Sequence, residues 1–363
     1  MSSQPSPAPV PRWPPHVVDP HMHQWDPWTT PRHVSGLAKL LRPLPRIPRA
    51  AGRLARRADR EFVGHPHHVL KPYLPRDYLR DTGSLPVRSV VHVEASWLGD
   101  DPFAPVEETR WITDLPFGRA GAPELGAVVA HADPRWPEVA QVLDAHLAAS
   151  PLVRGVRHSL SHSDADVRSF EDDGAALADP AFLTGFAAVA ERGLSFELWL
   201  YSHQLPLVPT LVAEYPETTF VLDHYATPVG LFGPRGGTGS AGHRRALLDR
   251  WHDDLARVAE HPTVVAKHSG LGMPLLGGVP RRQLDVGSLS EVTDRVAPLV
   301  RHLHDCFGPD RTMWASNYPM DKPVLSLPAT AQVVLDVLGA DARPDQLFSD
   351  VATRTYRLAR APR

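Results

Sequence analysis

The chain has 363 residues, with 38 Lys and Arg against 41 Asp and Glu, a formal net charge of −3 and 42% hydrophobic residues. This composition supplies enough apolar material for a large core, and the balanced charge argues against a protein that mainly neutralises nucleic-acid phosphates. The single cysteine, Cys306, excludes an intramolecular disulfide and a cysteine-rich metal site. Any metal site must therefore use His and carboxylate side chains.

The first fifteen residues are rich in Ser, Pro and Ala and carry too little apolar material to fold. They lack the charged and apolar segments of a secretory signal, and no later run of 18 or more apolar residues could cross a membrane. We expect a disordered tail over residues 1–15 and one domain over residues 16–363. The same features predict a cytoplasmic protein that has neither a nucleic acid nor a membrane as its partner.

From His16 onward, short β-like runs alternate with helix-like segments, which is typical of parallel βαβ units. The predicted strands are His16–His21, Arg88–Glu94, Glu124–His131, Val153–Ser159, Leu194–Leu200, Thr218–His224, Thr263–His268 and Arg311–Ser316. The predicted helices are Pro105–Leu115, Pro137–Ala149, Asp179–Arg192, Leu205–Tyr215, Gly242–His261, Leu289–Cys306, Pro328–Gly339 and Pro344–Leu358. Eight such strands can close into a (β/α)₈ TIM barrel, here with an extra C-terminal helix.

The segment after the first strand, residues 30–75, is too long for a simple crossover and is called the insertion below. Nine basic residues lie between Arg32 and Arg60, and only Asp59 opposes them. Charge runs usually lie on solvated surface, so a partly helical, solvated insertion is the plainer interpretation. The alternative is a basic lid that attracts an anionic substrate, or a patch that binds a membrane or a partner.

In a barrel, functional side chains concentrate at the C-terminal ends of the strands. His21 and His23 end the first strand two residues apart, so both can point into the barrel mouth. The other strand ends supply Glu94, Arg157, His158, His203, Gln204, Asp223, His224, Lys267, His268, Asn317, Tyr318 and Asp321. Buried polar side chains are costly unless they are paired, coordinated or used. Their recurrence at one end of the barrel predicts a functional site there.

The segment Asp19–Asp26, DPHMHQWD, resembles the D-x-H-x-H-x-W-D motif of the amidohydrolase superfamily. More narrowly, it is similar to the amidohydrolase-2 branch, which contains sugar-acid lactonases and the 2-pyrone-4,6-dicarboxylate lactonase. The likeness continues through residues 203–204, 221–224, 267–271 and 307–311 and ends near Asp321. The resemblance implies a distorted TIM barrel and a hydrolase of small, usually anionic, substrates.

The resemblance matches His21 and His23 to the family's first-strand pair, His203 to its fifth-strand histidine and His224 to its sixth-strand histidine. The family normally ends its eighth strand with an aspartate that binds metal or takes a proton from water, and this chain has Asn317 there. An amide is no general base at neutral pH and is a poor zinc ligand. This departure leaves both the metal and the proton acceptor open.

Three neutral imidazoles suffice for a catalytic zinc with one open position. His21 and His23, with His203 or His224 as the third ligand, are therefore the candidate site for a divalent metal, with zinc as the first choice. The alternative is a reaction in which the metal is dispensable and the histidines polarise the carbonyl directly.

His224 is the first choice as proton acceptor, because a free imidazole titrates at about 6.5. Glu94 and Asp321 are the other candidates near the rim. Asp223 ranks lower, because adjacent residues on a strand point to opposite faces.

The remaining polar residues at the rim are assigned to substrate binding. Arg157, Lys267 and His158 would suit a substrate carboxylate, Arg157 especially because its planar guanidinium binds one bidentately. Glu94, Gln204, His268, Tyr318 and Asp321 complete the substrate-binding candidates. Trp199 and Trp314 are interpreted as packing residues, because large aromatics are usually buried.

The leading hypothesis is a hydrolase of the amidohydrolase-2 type that opens a lactone or similar cyclic ester of a small, anionic acid with activated water. Two alternatives stay open. One is a decarboxylase of a small unsaturated acid on the same fold, although that chemistry usually needs the carboxylate that Asn317 replaces. The other is a barrel that binds a small acid without catalysis. A homo-oligomer is compatible with all three.

Overall fold

The computed structural model of the protein describes residues 13–235, 240–280 and 282–359. Eight parallel strands form one sheet in which each strand pairs with the next along the chain. The strands are β1 Val17–Met22, β2 Val87–Val93, β3 Glu124–His131, β4 Val153–Arg157, β5 Ser195–Leu198, β6 Phe220–Leu222, β7 Val264–His268 and β8 Thr312–Trp314. A parallel bridge between Met22 and Tyr318 brings β1 to the segment after β8. The predicted (β/α)₈ barrel is confirmed.

Twelve α-helices lie in the described residues, and the first three, α1 to α3, lie in the insertion. They are α1 Ser35–Leu40, α2 Arg57–Val63, α3 His67–Leu70, α4 Pro75–Thr82, α5 Val106–Asp114, α6 Val139–Ala149, α7 Pro180–Glu191, α8 Val208–Glu214, α9 Ala241–Ala259, α10 Ser290–Phe307, α11 Leu327–Leu338 and α12 Val351–Thr355. The helix expected from Leu205 begins as a 3₁₀ turn, Ser202–Leu207, because Pro206 has no N–H to donate within a helix. The final helix is shorter than predicted, since a π-helical turn, Gln346–Asp350, precedes it.

Strand β6 ends two residues earlier than its sequence predicts. Beyond Leu222, the residues His224, Tyr225, Ala226 and Thr227 have positive φ angles of 52°, 57°, 51° and 34°. These values lie outside the extended region, so the alternation of side chains stops at the end of the strand. The residues that follow β6 are consequently placed by a turn.

The insertion lies against the barrel through specific contacts. Arg32 at its start is buried and pairs with Glu108 of α5, with Arg32 NH1 2.9 Å from Glu108 Oε1. At the end of α2, a Cβ on Gly64 (φ 72°) would come within 2.6 Å of Pro274 Cγ, so α2 packs closely on the segment after β7. Of the remaining basic residues, Lys39, Arg42, Arg46, Arg53, Arg56, Arg57 and Arg60 are exposed. The insertion is thus part helical and mostly solvated on its basic side.

Asp19 links the first and last strands of the barrel. Its Oδ1 accepts a hydrogen bond from Ser316 N at 2.9 Å, and its Oδ2 accepts one from Tyr78 OH at 2.6 Å. These bonds hold the histidines that follow Asp19 against the segment that carries Asn317.

Of the tail expected to be disordered, residues 1–15, the first twelve lie outside the described residues. Trp13 packs edge-on against Phe348, with ring centroids 5.9 Å apart. In the part of the chain that the structure describes, no helix combines the length and the apolar character needed to cross a bilayer.

Candidate active site

A cavity of about 110 Å³ opens at the C-terminal ends of the strands. Polar groups that face it come from His23, Glu94, Ser96, Arg157, His224 and Asn317. Its apolar lining comes from Trp25, Phe62, Ala95, Phe170, Trp199, Met273 and Met320. A larger cleft of about 390 Å³ lies at the opposite end of the barrel, beside Gly193, Pro216 and Arg357. Active sites of TIM barrels lie at the C-terminal ends of the strands, so the smaller cavity is the candidate active site.

The two histidines of β1 meet through their Nε2 atoms, which are 3.3 Å apart. His23 Nδ1 lies 2.8 Å from the carbonyl oxygen of Val93. A carbonyl oxygen only accepts, so Nδ1 of His23 carries the hydrogen and Nε2 keeps its lone pair. Burial, assisted by the nearby positive charge of Arg157, lowers the pKa of His23 to about 3. The imidazole is therefore neutral at neutral pH and can accept a hydrogen bond or bind a metal.

The other nitrogen of His21 faces Asp223. Asp223 Oδ1 lies 3.1 Å from His21 Nδ1 and 3.1 Å from Lys267 Nζ, and all three side chains are buried. Burial alone would raise the pKa of Asp223, but the charge of Lys267 and the interactions with His21, its hydrogen bond included, together hold that pKa well below its usual range. Burial lowers the pKa of His21 well below its usual value. Asp223 is thus a carboxylate that orients His21.

The expectation that strand alternation points Asp223 away from His224 was wrong, whereas its low rank as a proton acceptor stays a prediction. Asp223 lies one residue beyond the end of β6, at Leu222, and precedes the left-handed turn that begins at His224. Because the strand has ended, Asp223 and His224 both reach His21. Their ligand-capable atoms and one from His21 all lie within 4.8 Å of one another.

His224 lies at the boundary between this cluster and the cavity. Its Nδ1 is 2.7 Å from Ser269 Oγ, and its ring centroid is 4.6 Å from that of His21. Burial lowers the pKa of His224 to about 3. The side chain is therefore a weaker base than the free imidazole on which its expected role as proton acceptor depended.

The structure does not bring His203 to the cluster. Strand β5 ends at Leu198, and His203 lies in the 3₁₀ turn Ser202–Leu207, where its side chain is exposed. The expected convergence of His203 with His21 and His23 consequently does not occur. The neighbouring Gln204 is buried and braces the loops, accepting from Tyr201 N at 3.1 Å and donating to Leu160 O at 2.8 Å.

Arg157 faces the cavity but is already paired. Its Nε donates to Glu94 Oε1 at 2.8 Å, and one terminal nitrogen donates to the Glu94 carbonyl oxygen at 2.8 Å. Burial raises the pKa of Glu94, but the charge of Arg157, together with His131 and the hydrogen bond from Ser96 N, brings that pKa below its usual value. A substrate carboxylate would therefore have to compete with Glu94 for the guanidinium.

Lys267 lies beneath the histidines, inside the barrel. It is fully buried and hydrogen-bonds to Glu197, which also accepts from Tyr356 OH of the C-terminal segment. Burial raises the pKa of Glu197 to about 8. Glu197 was not assigned a role from sequence, although a glutamate within an apolar strand is a signal of a buried polar network. Lys267 thus faces Glu197, Asp223 and Nδ1 of His21, which lies 3.1 Å from its Nζ.

Three further candidates lie behind the cavity. His158 pairs with Glu171 and does not line the cavity. His268 Nδ1 is 2.9 Å from Tyr225 OH, and Tyr318 OH donates to the Leu325 carbonyl oxygen at 2.8 Å. These side chains support the loops that carry the cavity.

Asn317 lines the cavity and hydrogen-bonds to Asp321. Asn317 Nδ2 donates to Asp321 Oδ1 at 2.7 Å, and Gly272 N donates to Asp321 Oδ2 at 2.8 Å. Burial raises the pKa of Asp321 to about 8. The carboxyl of Asp321 lies behind Asn317, which separates it from the cavity. With this raised pKa, the carboxyl keeps its proton at neutral pH.

Sequence reasoning missed the apolar walls of the cavity. Phe62 comes from α2 of the insertion and Phe170 from the loop after β4. Trp199, expected to serve in packing, is buried and lines the cavity as well. No sequence pattern marks Phe62 or Phe170 as cavity residues, because Phe62 lies on the short helix α2 of the insertion and Phe170 in an irregular loop, and only the fold brings them to the barrel mouth.

The family model described as Amidohydrolase matches residues 18–358. An uncharacterized protein, y4mH of Sinorhizobium fredii, is 27% identical over 94% of this chain and 98% of its own. An L-fucono-1,5-lactonase of Burkholderia multivorans is 29% identical over 84% of this chain and 92% of its own.

Two crystal structures of an amidohydrolase from Burkholderia multivorans share the fold. The one with bound HEPES has a TM-score of 0.67 and is 22% identical, and it covers 94% of this chain and 99% of that chain. The one with bound zinc has a TM-score of 0.65 and is 23% identical, with the same two coverages. With a family match over most of its length and a barrel whose first strand ends in two facing histidines, the chain belongs to the amidohydrolase family.

Proposed function

We propose that the protein is a metal-assisted hydrolase that opens a lactone or similar cyclic ester. The observation that carries the proposal is the pair of Nε2 atoms of His21 and His23, 3.3 Å apart, with Asp223 on the other nitrogen of His21. The relationship to a lactonase over most of both chains supports this choice of reaction.

The donor set fits a divalent metal. Two ligands on a tetrahedral zinc, each bonded at 2.0–2.1 Å, stand about 3.3–3.4 Å apart, and the Nε2 atoms of His21 and His23 match that separation. A hydrogen on His21 Nδ1, donated to Asp223, would leave Nε2 of His21 with its lone pair toward His23. Asp223 and His224 offer ligand atoms within 4.8 Å of one from His21 and of each other, and among the described residues His23 is not part of that group. Zinc is the first ion to test, because it is bound in a crystal structure with the same fold.

When bound, such a metal would polarise the ester carbonyl and make water a stronger nucleophile. The residues of the chain would bind and orient the reactants. Asp223 fixes the ring of His21 through its hydrogen bond to Nδ1. His224 is hydrogen-bonded to Ser269 through Nδ1; when Nδ1 carries the hydrogen, its Nε2 would accept a hydrogen bond from a water in the cavity. Its pKa of about 3 suits it to orienting that water more than to storing its proton.

The test is hydrolysis of a panel of sugar-acid and unsubstituted lactones by the purified protein, with and without a chelator, alongside elemental analysis. We expect ring opening that falls on chelation and returns when zinc is added. His23→Ala should lower both the metal content and the turnover, whereas Asp253→Asn, on the exposed side of α9, should change neither. Metal-loaded protein that opens no member of the panel would contradict the proposal and favour a barrel that only binds small molecules.

A further inference from the structure

Three aromatic rings cover the cavity and come from three separate parts of the chain. The ring centroids of Phe170 and Trp199 are 4.9 Å apart, and Phe62 lies 5.6 Å from Phe170 and 6.0 Å from Trp199. We call Phe62, Phe170 and Trp199 the aromatic roof. All three line the cavity, so an occupant would contact ring faces and edges on this side.

The insertion is fastened at the place where it contributes Phe62. Asp59, one turn earlier on α2, forms an ion pair with Arg168 at 3.1 Å, and the Arg168 guanidinium lies 4.9 Å from the ring centroid of Phe170. The close packing of Gly64 on Pro274 fixes the other end of the same helix. The position of Phe62 is therefore set by contacts on both sides of it.

The polar side of the cavity has few free hydrogen-bonding groups. Arg157 and Glu94 satisfy each other, and the amide nitrogen of Asn317 is used by Asp321. A hydroxyl or a charge buried without a partner is unfavourable. A carboxylate on a substrate would therefore find the Arg157 guanidinium occupied. Trp199, which lines the cavity, has its Nε1 buried without a hydrogen-bond partner among the described residues, so it can donate to one oxygen of a lactone but cannot satisfy several ring hydroxyls. An uncharged occupant with few polar substituents avoids this cost.

The size of the cavity limits the occupant further. Its volume is about 110 Å³, smaller than the cavity of about 150 Å³ that holds one benzene ring in an engineered protein. One small ring is thus the largest body that the cavity can enclose, and larger substituents would extend out of its opening.

We propose that the aromatic roof selects a neutral, single-ring lactone with an apolar ring face over a polyhydroxylated or carboxylated one, and that Phe62 of the insertion is a specificity-determining residue. This rests on the proposed function. In the reaction, water adds to the acyl carbon, the ring C–O bond breaks, and the product is the open-chain hydroxy acid with its proton released to solvent. The proposal departs from the sugar lactone that the name of the curated relative specifies.

The experiment compares three probes on the metal-loaded full chain: δ-valerolactone, D-glucono-1,5-lactone and the 6-carboxylate of δ-valerolactone. We expect the highest kcat/KM with δ-valerolactone. Phe62→Ala should raise the KM for δ-valerolactone about 10-fold or more, the usual effect of lost contact in an apolar pocket, and should leave D-glucono-1,5-lactone unchanged or improved. Phe170→Ala should act in the same direction. Phe103→Ala is the control, because Phe103 is exposed and lies outside the cavity.

Two outcomes would overturn the selectivity while the proposed function stands: a higher kcat/KM for either polar lactone in the wild-type protein, or an unchanged KM for δ-valerolactone in both aromatic variants. If no lactone is opened, the proposed function fails. The selectivity is then tested by measuring the binding of the lactones by calorimetry. Tighter binding of δ-valerolactone than of D-glucono-1,5-lactone, weakened by Phe62→Ala, would then support the roof. Equal or tighter binding of the sugar lactone would overturn it.

Discussion

Asp223 meets His21 across the interior of the barrel, with Asp223 Oδ1 3.1 Å from His21 Nδ1. The same oxygen is 3.1 Å from Lys267 Nζ, so one carboxylate binds both a histidine of β1 and a lysine of β7. Its other oxygen, Oδ2, has no hydrogen-bond partner within the described ranges and lies 3.7 Å from an Arg157 nitrogen. Asp223 thus connects the candidate metal ligands to the buried charges beneath them.

Replacing Asp223 by asparagine should weaken metal binding and catalysis without removing the histidines. A partner of this kind fixes the orientation and basicity of a metal-binding imidazole, and its loss typically costs about 10–100-fold in metal affinity or activity. Metal affinity by calorimetry and kcat by a lactone assay measure the two effects. The matched control is Asp253→Asn, which removes an exposed carboxylate. Wild-type metal affinity in Asp223→Asn would show that the carboxylate does not orient His21.

Alanine substitutions at His23 and His203 test whether the site follows the observed geometry or the family resemblance. The resemblance assigns both histidines to the site, whereas the structure places only His23 beside His21. His23→Ala removes an Nε2 that faces His21 and should lower kcat/KM by about 10²-fold or more. His203→Ala removes an exposed ring outside the cluster and should change kcat/KM by less than about 3-fold. A large loss of activity in His203→Ala, with an unchanged melting temperature, would contradict the placement of the site.

Sequence reasoning succeeded where the backbone is regular. Alternation along β1 predicts that His21 and His23 point the same way, and their Nε2 atoms lie 3.3 Å apart, although His23 is one residue past the strand and the pairing of β1 with β2 is irregular between Asp19 and Met22. It fails for Asp223, since a left-handed turn follows β6 within two residues of that side chain. His203 shows the same limit, because it lies five residues beyond Leu198, the last residue of β5. For Asp223 and His203, the backbone that follows the strand decides where the side chain points, and the alternation within the strand does not.

The residues that line the apolar side of the cavity could not be predicted from the sequence for a different reason. Phe62 and Trp199 are 137 residues apart in sequence and meet only because the insertion packs over the barrel mouth. Hydrophobic periodicity locates the helices and strands but does not place one connection on another. The aromatic roof therefore follows from tertiary packing and has no local sequence pattern.

The ion pair of Arg32 and Glu108 should stabilise the attachment of the insertion to the barrel. Arg32→Met would leave the buried carboxylate of Glu108 without its cation, and breaking a buried pair in this way typically costs about 3–5 kcal/mol of unfolding free energy. Chemical denaturation measures the loss. Arg53→Met, at an exposed basic residue of the same insertion, should cost less than about 0.5 kcal/mol. Similar losses in both variants would argue against a special role for the buried pair.

The protonated carboxyl of Asp321 should make stability depend on pH. Because burial raises the pKa of Asp321 to about 8, the folded protein keeps a proton that the unfolded chain releases near its usual pKa of about 4. The folded state then binds more protons than the unfolded state between these values. The stabilisation from this group is therefore fully present below about pH 4 and is lost as the pH rises to about 8.

Asp321→Asn should flatten that dependence. An asparagine can still accept the hydrogen bond from Gly272 N, but it has no proton to release. The unfolding free energy, measured by urea denaturation at pH 5 and pH 8, should fall less in the variant than in the wild-type protein. Glu197, whose pKa is also raised to about 8, contributes with the same sign to both proteins, so the difference between them isolates Asp321. An equal fall in both would mean that Asp321 is already ionised at pH 5, and that its hydrogen bond from Asn317 joins an amide to a carboxylate.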